Sequence, residues 1–266
     1  MSTVQISSPV RTLHYVRTGP RGGIPVVLLH PAGLDLGYWD RHLAALRDDH
    51  DVIALDLPGH GASTGSPQDW ALGRATGILA AFLQGLDILE AHLVGLSVGG
   101  MLAQSLALAE PAVVRSLTLM GTAASFSPDG RAAIRDRAQA ARTQGMPALV
   151  AASIARWFTP QAVAQRPDLI DRATTTLLAD DPEVHAAVWD MVADLDLAPQ
   201  LGRITCQTLV LVGASDQSTP LTAARELRDG ISGAQLHVVP DTSHLAPLER
   251  PDLTSAHLLA FLEQQR

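Results

Sequence analysis

One serine stands in a pattern that could make its side chain reactive. The segment "HLVGLSVGG" at 92–100 places Ser97 between Gly95 and Gly99, directly after an apolar run. A turn from strand to helix this tight strains the serine backbone, and glycines let the strand and the helix approach each other closely. The hydroxyl is then exposed at the carboxyl edge of a sheet, beside a helix N-terminus. The pattern predicts a nucleophile, although the pentapeptide alone also fits a tight turn with a bystander serine.

A serine hydroxyl becomes nucleophilic when a base removes its proton and a third group orients that base. On a turn of this kind, the acid follows the serine along the chain and the histidine follows the acid. Asp216, in "GASDQSTP", comes just after the run "TLVLVG", and His244, in "PDTSHLAPLERP", comes just after "LHVV". Separately, Asp216 fits a turn former and His244 fits a loop histidine. Together, in this order at one sheet edge, they predict a triad with Ser97.

Two other positions could in principle supply the acid. Asp241 lies three residues before His244, but it precedes the turn of that loop, where a carboxylate suits a local cap or turn bond. The segment after the strand that follows the nucleophile helix reads "MGTAAS" and contains no carboxylate. Asp216 is therefore the preferred acid.

Acyl transfer also requires two fixed N–H donors for the oxyanion. The residue after the nucleophile, Val98, supplies one of them. The other is expected in "HPAG" at 30–33, after the strand "VVLLH". Pro31 has no N–H, so Ala32 is the candidate and Gly33 the alternative. By itself, "HPAG" also fits an ordinary turn.

Short Val- and Leu-rich runs alternate with amphipathic segments along the chain. The runs are apolar at nearly every position, as in strands of a parallel sheet that is covered on both faces; they lie at 25–30, 51–56, 91–97, 114–121, 207–213 and 235–239. The helical segments lie at 39–47, 71–90, 98–109, 220–230 and 252–264. The alternation predicts a doubly wound or related α/β sheet, with "LHYVR" at 13–17 as an antiparallel strand near its edge.

The alternation stops between about 123 and 200. This stretch carries Ala-rich, Arg-studded helical patterns that are interrupted by prolines, and it contains no convincing strand. We interpret residues 123–200 as a helical lid inserted into a core of residues 1–122 and 201–266. Trp157, Trp189 and Met191 of the lid are candidate substrate contacts, with packing inside the lid as the alternative for each. Leu34, beside "HPAG", is a further candidate.

Composition excludes several classes of function. The net charge is −8, no window clusters basic residues, and all 19 of them are Arg. Nucleic acid is therefore an unexpected partner, and Schiff-base or phosphate-loop lysine chemistry is excluded. Cys206 is the single cysteine, the first residues lack a secretory signal, and no apolar window reaches a membrane span. No metal-ligand spacing and no dinucleotide motif is present. We expect a cytoplasmic protein that needs no cofactor or metal and has no membrane partner.

Five motifs along the chain resemble those of a known superfamily. The set "HPAG", "DLPGHGAS", "GLSVGG", "LVGASDQSTP" and "PDTSHLAPLERP" is similar to the α/β-hydrolases over about residues 13–263. The resemblance implies a mostly parallel eight-stranded sheet with a helical lid after the sixth strand. It also implies Ser97 as nucleophile, Asp216 as acid, His244 as base, and Ala32 and Val98 as oxyanion donors. Epoxide hydrolases and dehalogenases of this fold carry Asp where this chain has Ser97, which argues against both.

Within that superfamily, "ARWFTPQAVAQRPDLI" and the triad surroundings look most like 3-oxoadipate enol-lactonases. Trp157 matches an aromatic residue that this family places over its substrate. "HPAG" and "DLPGHG" differ from the usual enol-lactonase loops. A dicarboxylate-derived substrate would require a cation, for which Arg156 or another lid arginine is a candidate.

The predicted function is hydrolysis of a small carboxylic ester or lactone through an acyl-enzyme. Perhydrolysis and C–C bond hydrolysis would use the same triad, and a ligand-binding receptor built on the fold is the alternative without catalysis. The predicted partner is a small-molecule ester or lactone, and a homodimer is a possible assembly.

Overall fold

Most of the strands form where the sequence has short runs that are apolar at most positions. A computed structural model describes residues 2–7 and 9–265 of the chain. Within this part the strands are β1 (Ser2–Ser7), β2 (Val10–Thr18), β3 (Val26–Leu29), β4 (Val52–Leu55), β5 (Ala91–Leu96), β6 (Val114–Met120), β7 (Gln207–Gly213) and β8 (Gln235–Val239). All six predicted apolar runs are strands, and the predicted antiparallel strand at 13–17 is part of β2.

One sheet contains all of these strands, in the order β1-β2-β4-β3-β5-β6-β7-β8. β1 pairs antiparallel with β2, and β2 pairs antiparallel with β4. Every other neighbouring pair is parallel. The predicted fold, a mostly parallel eight-stranded sheet flanked by helices, is confirmed.

The core lies on both faces of the sheet because successive side chains of a strand point to opposite sides. In β3, Val27 and Leu29 join the hydrophobic cluster on one face, while Val26 and Leu28 join the cluster on the other. β4 divides its side chains in the same way. Burial on both faces explains why these strands are continuously apolar rather than alternating.

Helices fill the connections between the parallel strands, and two more follow β8. They are α1 (Asp40–Leu46), α2 (Leu72–Gly85), α3 (Val98–Ala109), α4 (Pro128–Gln144), α5 (Val150–Trp157), α6 (Pro160–Gln165), α7 (Pro167–Ala179), α8 (Pro182–Ala193), α9 (Leu221–Gly230), α10 (Ala246–Glu249) and α11 (Pro251–Glu263). The helix predicted at 71–90 ends earlier, at Gly85, and Asp87 in the turn that follows has a φ of 57°. No helix in the described ranges is long and apolar enough to span a membrane.

Prolines and polar caps divide the stretch between β6 and β7 into the helices α4 to α8. Four of these five helices begin with proline, which fits the first turn because its missing N–H has no helical partner there. The Ser127 and Thr159 side chains cap α4 and α6 by accepting backbone N–H bonds. The helical lid at 123–200 as a domain separate from the core stays a prediction.

Candidate active site

Ser97 lies on a sharp turn between the last residue of β5 and the first residue of α3. Its φ of 51° is in a region that residues with a side chain rarely adopt, and this costs on the order of 1–3 kcal/mol. The Ser97 N–H donates to the Met120 carbonyl at 2.9 Å. The Thr122 hydroxyl donates to the Ser97 carbonyl at 2.7 Å. Both peptide groups beside the serine are therefore fixed to the neighbouring β6 segment.

The glycines around Ser97 are required by the close approach of backbone to backbone. A Cβ built on Gly95 would overlap the backbone of Gly99 and Gly100. A Cβ on Gly99 would overlap the Leu29 carbonyl at the end of β3. The spacing seen in the sequence is therefore the condition for packing α3 against β5 and β3 at this turn.

The structure brings Asp216 and His244 into direct contact. His244 Nδ1 lies 3.0 Å from Asp216 Oδ2, and both side chains are buried. The loops that carry them are joined, since the Ser215 N–H donates to the Thr242 carbonyl at 2.9 Å. A Cβ on Gly213 would overlap the Ser243 carbonyl, so glycine is needed for this approach.

Asp216 is held as a carboxylate acceptor by its own loop. The Thr219 hydroxyl donates to Oδ2 at 2.9 Å, and the N–H groups of Ser218 and Thr219 donate to Oδ1 at 2.8 and 3.0 Å. Burial alone would raise the pKa of this carboxyl, but the His244 imidazole and the Thr219 bonds outweigh it and lower the pKa. Asp241, by contrast, is exposed and occupies a turn with a φ of 55°.

Thr219 is a supporting residue that the sequence reasoning missed. Besides its two bonds to Asp216, its hydroxyl lies 3.4 Å from His244 Nδ1. The signal was present as an Asp followed three residues later by a Thr, the spacing at which an aspartate side chain accepts bonds from its own turn.

Hydrogen bonds tie the segment that carries His244 to the end of α5. We call residues 240–245 the base loop. The Ser243 hydroxyl donates to the Arg156 carbonyl at 3.0 Å, and the Leu245 N–H donates to the Trp157 carbonyl at 3.0 Å. The Glu249 carboxylate bridges the two segments, accepting from Ser243 N at 2.7 Å and from the N–H and hydroxyl of Thr159 at 3.0 and 2.6 Å. The base loop and the end of α5 therefore form one hydrogen-bonded unit.

The two predicted oxyanion donors lie at places where a backbone N–H can be directed. Val98 is the first residue of α3, so its N–H has no partner within the helix. Ala32 follows Pro31, whose carbonyl lies 2.8 Å from His30 Nδ1. His30 Nε2 accepts from the Leu57 N–H at 2.9 Å, so the proton must be on Nδ1 and donates to Pro31.

The neutral state of His30 follows from its surroundings. Complete burial, together with the charge of the nearby His60, lowers the pKa of His30 to about 4.

In a trans peptide the N–H points opposite to the carbonyl, so the bond to Pro31 fixes the direction of the Ala32 N–H. The roles of Ala32 and Val98 as oxyanion donors stay predictions.

A cavity of about 180 Å³ joins several of the predicted residues. The side chains that line it include those of Ser97, His244, Trp157, Trp189, Arg156 and Arg137. Two other predicted contacts do not line it. Leu34 is 4% exposed within the cluster on one face of the sheet, and Met191 is 5% exposed within the cluster on the other. The structure gives their predicted role in substrate binding no support.

A larger groove lies elsewhere on the surface. Its volume is about 770 Å³, and residues of α1, α7 and α11 line it. None of the predicted site residues is part of this groove, and arginines on its wall already pair with acids, as in Arg172–Asp40 at 2.9 Å and Arg166–Asp168 at 2.8 Å. The smaller cavity is therefore the candidate active site.

Two arginines make the cavity electropositive. Arg137 and Arg156 both line it, and among the residues that the structure describes neither forms an ion pair with a carboxylate. Burial and the Arg156 charge lower the pKa of Arg137 to about 10, and burial also lowers the pKa of Arg156. Both arginines are partly exposed, and Arg137 also lies over the Trp189 ring. A partly buried cation without a carboxylate partner is stabilised when a ligand supplies the negative charge. The cavity can therefore accommodate an anionic group.

The sequence reasoning named Arg156 but not Arg137. Helix α4 carries four arginines, and three of them bind protein groups: Arg131 donates to backbone carbonyls, and Arg135 and Arg142 pair with Asp194 and Asp190. At about 100° per residue, those three lie within roughly 40° of one another around the helix, whereas Arg137 lies about 120–160° from them. This difference in helical face was the available signal.

Metal chemistry has no evident site in the part of the chain that is described. Within residues 2–7 and 9–265, no group of three or more His, Cys, Asp or Glu side chains is placed to hold a metal ion.

Comparison with known proteins identifies the class. The model of the alpha/beta hydrolase family matches residues 26–257, so the chain belongs to that family and is a hydrolase. It is 30% identical over 240 residues to 3-oxoadipate enol-lactonase 2 of Acinetobacter baylyi, covering 90% of this chain and 88% of the relative. The predicted resemblance is thereby confirmed.

Solved structures give the same result. The enol-lactonase from Burkholderia xenovorans superposes with a TM-score of 0.92 at 30% identity, covering 98% of this chain and 100% of that one. A thermophilic esterase from Thermogutta terrifontis, with malate bound, superposes with a TM-score of 0.93 at 28% identity, covering 100% and 99%. The relatives thus include enzymes named for lactone and for ester hydrolysis.

Proposed function

We propose that this protein is a serine hydrolase that opens a small lactone, or cleaves a small ester, bearing a carboxylate. The observation that carries the proposal is the buried Asp216–His244 pair, 3.0 Å apart, with His244 and Ser97 lining one cavity. The enol-lactonases and esterases among the relatives favour the same reaction.

The acylation step follows from the roles of these groups. As the Ser97 oxygen attacks the substrate carbonyl, His244 Nε2 takes the hydroxyl proton, and Asp216 stabilises the imidazolium. The carbonyl oxygen becomes an oxyanion that accepts from the N–H groups of Val98 and Ala32, each contributing on the order of 3 kcal/mol to the transition state. The imidazolium then protonates the departing oxygen, which leaves an ester between the acyl group and Ser97.

Deacylation repeats the sequence with water as the nucleophile. His244 takes a proton from the water as its oxygen attacks the acyl carbon, and returns a proton to Ser97 as the acyl group leaves as a carboxylic acid. In a lactone the departing oxygen remains tethered to the acyl group. The whole opened chain therefore stays in the cavity until water releases it.

Arg137 and Arg156 supply the substrate selectivity in this proposal. A carboxylate on the acyl part of the substrate would accept hydrogen bonds from the guanidinium groups and supply the counter-ion that no described residue provides. A hydrogen bond to a charged group is worth about 1.5–3 kcal/mol, so losing one arginine is expected to reduce kcat/KM by roughly 10- to 150-fold.

The proposal is tested with two chromogenic esters of similar shape. The 4-nitrophenyl monoester of succinate carries a carboxylate, whereas 4-nitrophenyl 4-methylpentanoate carries an isopropyl group in its place. The wild-type protein should hydrolyse both and prefer the succinate ester, and Ser97→Ala should hydrolyse neither while remaining folded by circular dichroism. Turnover that persists in Ser97→Ala would contradict the reaction.

The selectivity is tested separately. Arg137→Ala and Arg156→Ala should reduce the preference for the anionic ester and leave the neutral ester unaffected. Arg135→Ala is the matched control, because this α4 arginine is exposed and pairs with Asp194. An unchanged preference in both cavity variants would contradict the proposed carboxylate site and leave the serine chemistry standing.

A further inference from the structure

Trp189 connects the cavity to a chain of buried polar groups behind it. On the cavity side, the Arg137 guanidinium lies over the Trp189 ring, 4.2 Å from the ring centre. On the other side, the indole Nε1–H of Trp189 donates to His185 Nε2 at 2.8 Å. The orientation of the Trp189 ring beneath Arg137 is therefore held by its hydrogen bond to His185, which is not among the residues that line the cavity.

The bond from Trp189 dictates the protonation state of His185. An indole N–H can only donate, so Nε2 of His185 must be unprotonated. The proton then lies on Nδ1, which donates to Asp180 Oδ2 at 2.9 Å. The side chains of His185 and Asp180 are 1% and 6% exposed, so water does not compete for these bonds. Burial also lowers the pKa of His185, which agrees with a neutral ring.

Asp180 and His185 are anchored to the core as well as to the lid. Asp180 lies at the end of α7, and its carboxylate is 3.8 Å from Nε2 of His60, which is buried in the loop after β4. The His185 ring packs against Gly33, where an added Cβ would come within 3.3 Å of it. With a φ of 79°, Gly33 cannot easily accept a side chain. The Asp180 and His185 side chains are therefore held in place by His60 and Gly33.

We propose that Asp180 and His185 are positioning residues that hold Trp189, and through it Arg137, in place for the carboxylate of the substrate. This inference rests on the proposed function. Trp189 orients the guanidinium by cation–π contact, His185 orients Trp189 by accepting its N–H, and Asp180 fixes the His185 tautomer. The three residues thereby determine specificity for anionic substrates without making any bond to the reacting atoms.

The test compares two replacements of His185. His185→Phe removes both hydrogen bonds at similar volume, whereas His185→Gln keeps an acceptor for Trp189 in place of Nε2. We expect His185→Phe to lower the succinate-to-methylpentanoate ratio of kcat/KM about fivefold, the amount a cation–π contact contributes. The change should arise in KM for the succinate ester, with kcat for the neutral ester unchanged. His185→Gln should recover most of the ratio.

A second variant and a second readout keep the test decisive if His185→Phe fails to fold. Trp189→Phe preserves a ring beneath Arg137 but removes the N–H, and it should lower the ratio in the same direction. In ¹⁵N NMR spectra, the Trp189 indole N–H resonance of the wild type, assigned from its loss in Trp189→Phe, should shift upfield in Asp180→Asn. His257→Phe is the control and should leave the ratio unchanged, because the His257 ring stacks on His237, away from Asp180, His185 and Trp189.

The outcomes separate this inference from the function on which it rests. If Arg137→Ala lowers the ratio but His185→Phe and Trp189→Phe do not, the positioning role is wrong and the carboxylate site stands. If Arg137→Ala and Arg156→Ala leave the ratio unchanged, the carboxylate site itself is wrong. A parallel fall in kcat for both esters in His185→Phe would indicate a merely structural role and would also overturn the inference.

Discussion

Replacing Glu249 with Gln tests whether the base loop depends on its attachment to α5. Glu249 accepts from Ser243 N with one carboxylate oxygen, and from the N–H and hydroxyl of Thr159 with the other. Gln keeps the shape but has a single oxygen. One side of the bridge must therefore face an NH₂ group, and a backbone N–H loses its acceptor.

The magnitude follows from the bonds that are lost. A hydrogen bond to a charged group contributes about 1.5–3 kcal/mol, so Glu249→Gln should lower the free energy of unfolding by about 2 kcal/mol. For a chain of this size, that change corresponds to a decrease in Tm of roughly 4–8 °C. Because Ser243 directly precedes His244, the loosened base loop should also lower kcat by about tenfold for anionic and neutral esters alike.

The assay pairs thermal unfolding with steady-state kinetics on both esters. Glu263→Gln is the matched control: Glu263 is an exposed residue at the end of α11, and its replacement should change neither quantity. A Glu249→Gln variant with wild-type Tm and kcat would refute the reasoning altogether. A lower Tm with unchanged kcat would show that the bridge stabilises the fold without positioning the base.

Two further predictions concern the acid and one buried histidine. Asp216→Asn should reduce kcat by about 10³- to 10⁴-fold in stopped-flow or steady-state assays, because an amide no longer holds the His244 proton on Nδ1; a loss below tenfold would contradict the assignment. Burial lowers the pKa of His42 to about 4, so between pH 6.5 and 4 the unfolded chain binds a proton that the folded protein does not. As the pH is lowered from 6.5 to 4, the free energy of unfolding should therefore decrease by about 3 kcal/mol from this residue. When the free energy of unfolding, measured by urea denaturation, is plotted against pH over that window, the slope should be about 1.4 kcal/mol per pH unit shallower in His42→Leu than in the wild type. An identical slope in the wild type and in His42→Leu would contradict this prediction.

The sequence was most informative where a local pattern reflects a physical constraint. Close backbone contacts require glycine at positions 95 and 99 on either side of Ser97. These three positions were therefore enough to predict the turn. The apolar runs predicted the six strands β3 to β8. β3 and β4 are apolar and buried at every position, whereas the edge strand β8 is exposed at His237 and Val238. β1 was not identified, since its residues are mostly exposed at the sheet edge and "STVQIS" has few apolar positions.

The wall of the cavity was less predictable, because it depends on how the helices after β6 pack. Trp157, Trp189 and Arg156 were named, and they do line the cavity. Met191 was named with them but is buried in the hydrophobic core. In sequence, an apolar residue of the core and an apolar residue that lines a cavity look the same. Arg137 was missed, since the four arginines of α4 are the same residue type and their positions around the helix, which separate Arg137 from the other three, were not compared.

Labelling with a fluorophosphonate tests most directly whether His244, held by Asp216, activates Ser97. Rates would be followed by intact mass, with the adduct located by peptide mapping, in the wild type and in Ser97→Ala and His244→Gln. The account predicts one adduct on Ser97 in the wild type, none in Ser97→Ala, and labelling slowed by about 10³-fold or more in His244→Gln. An adduct on another residue, or an unchanged rate without His244, would contradict it.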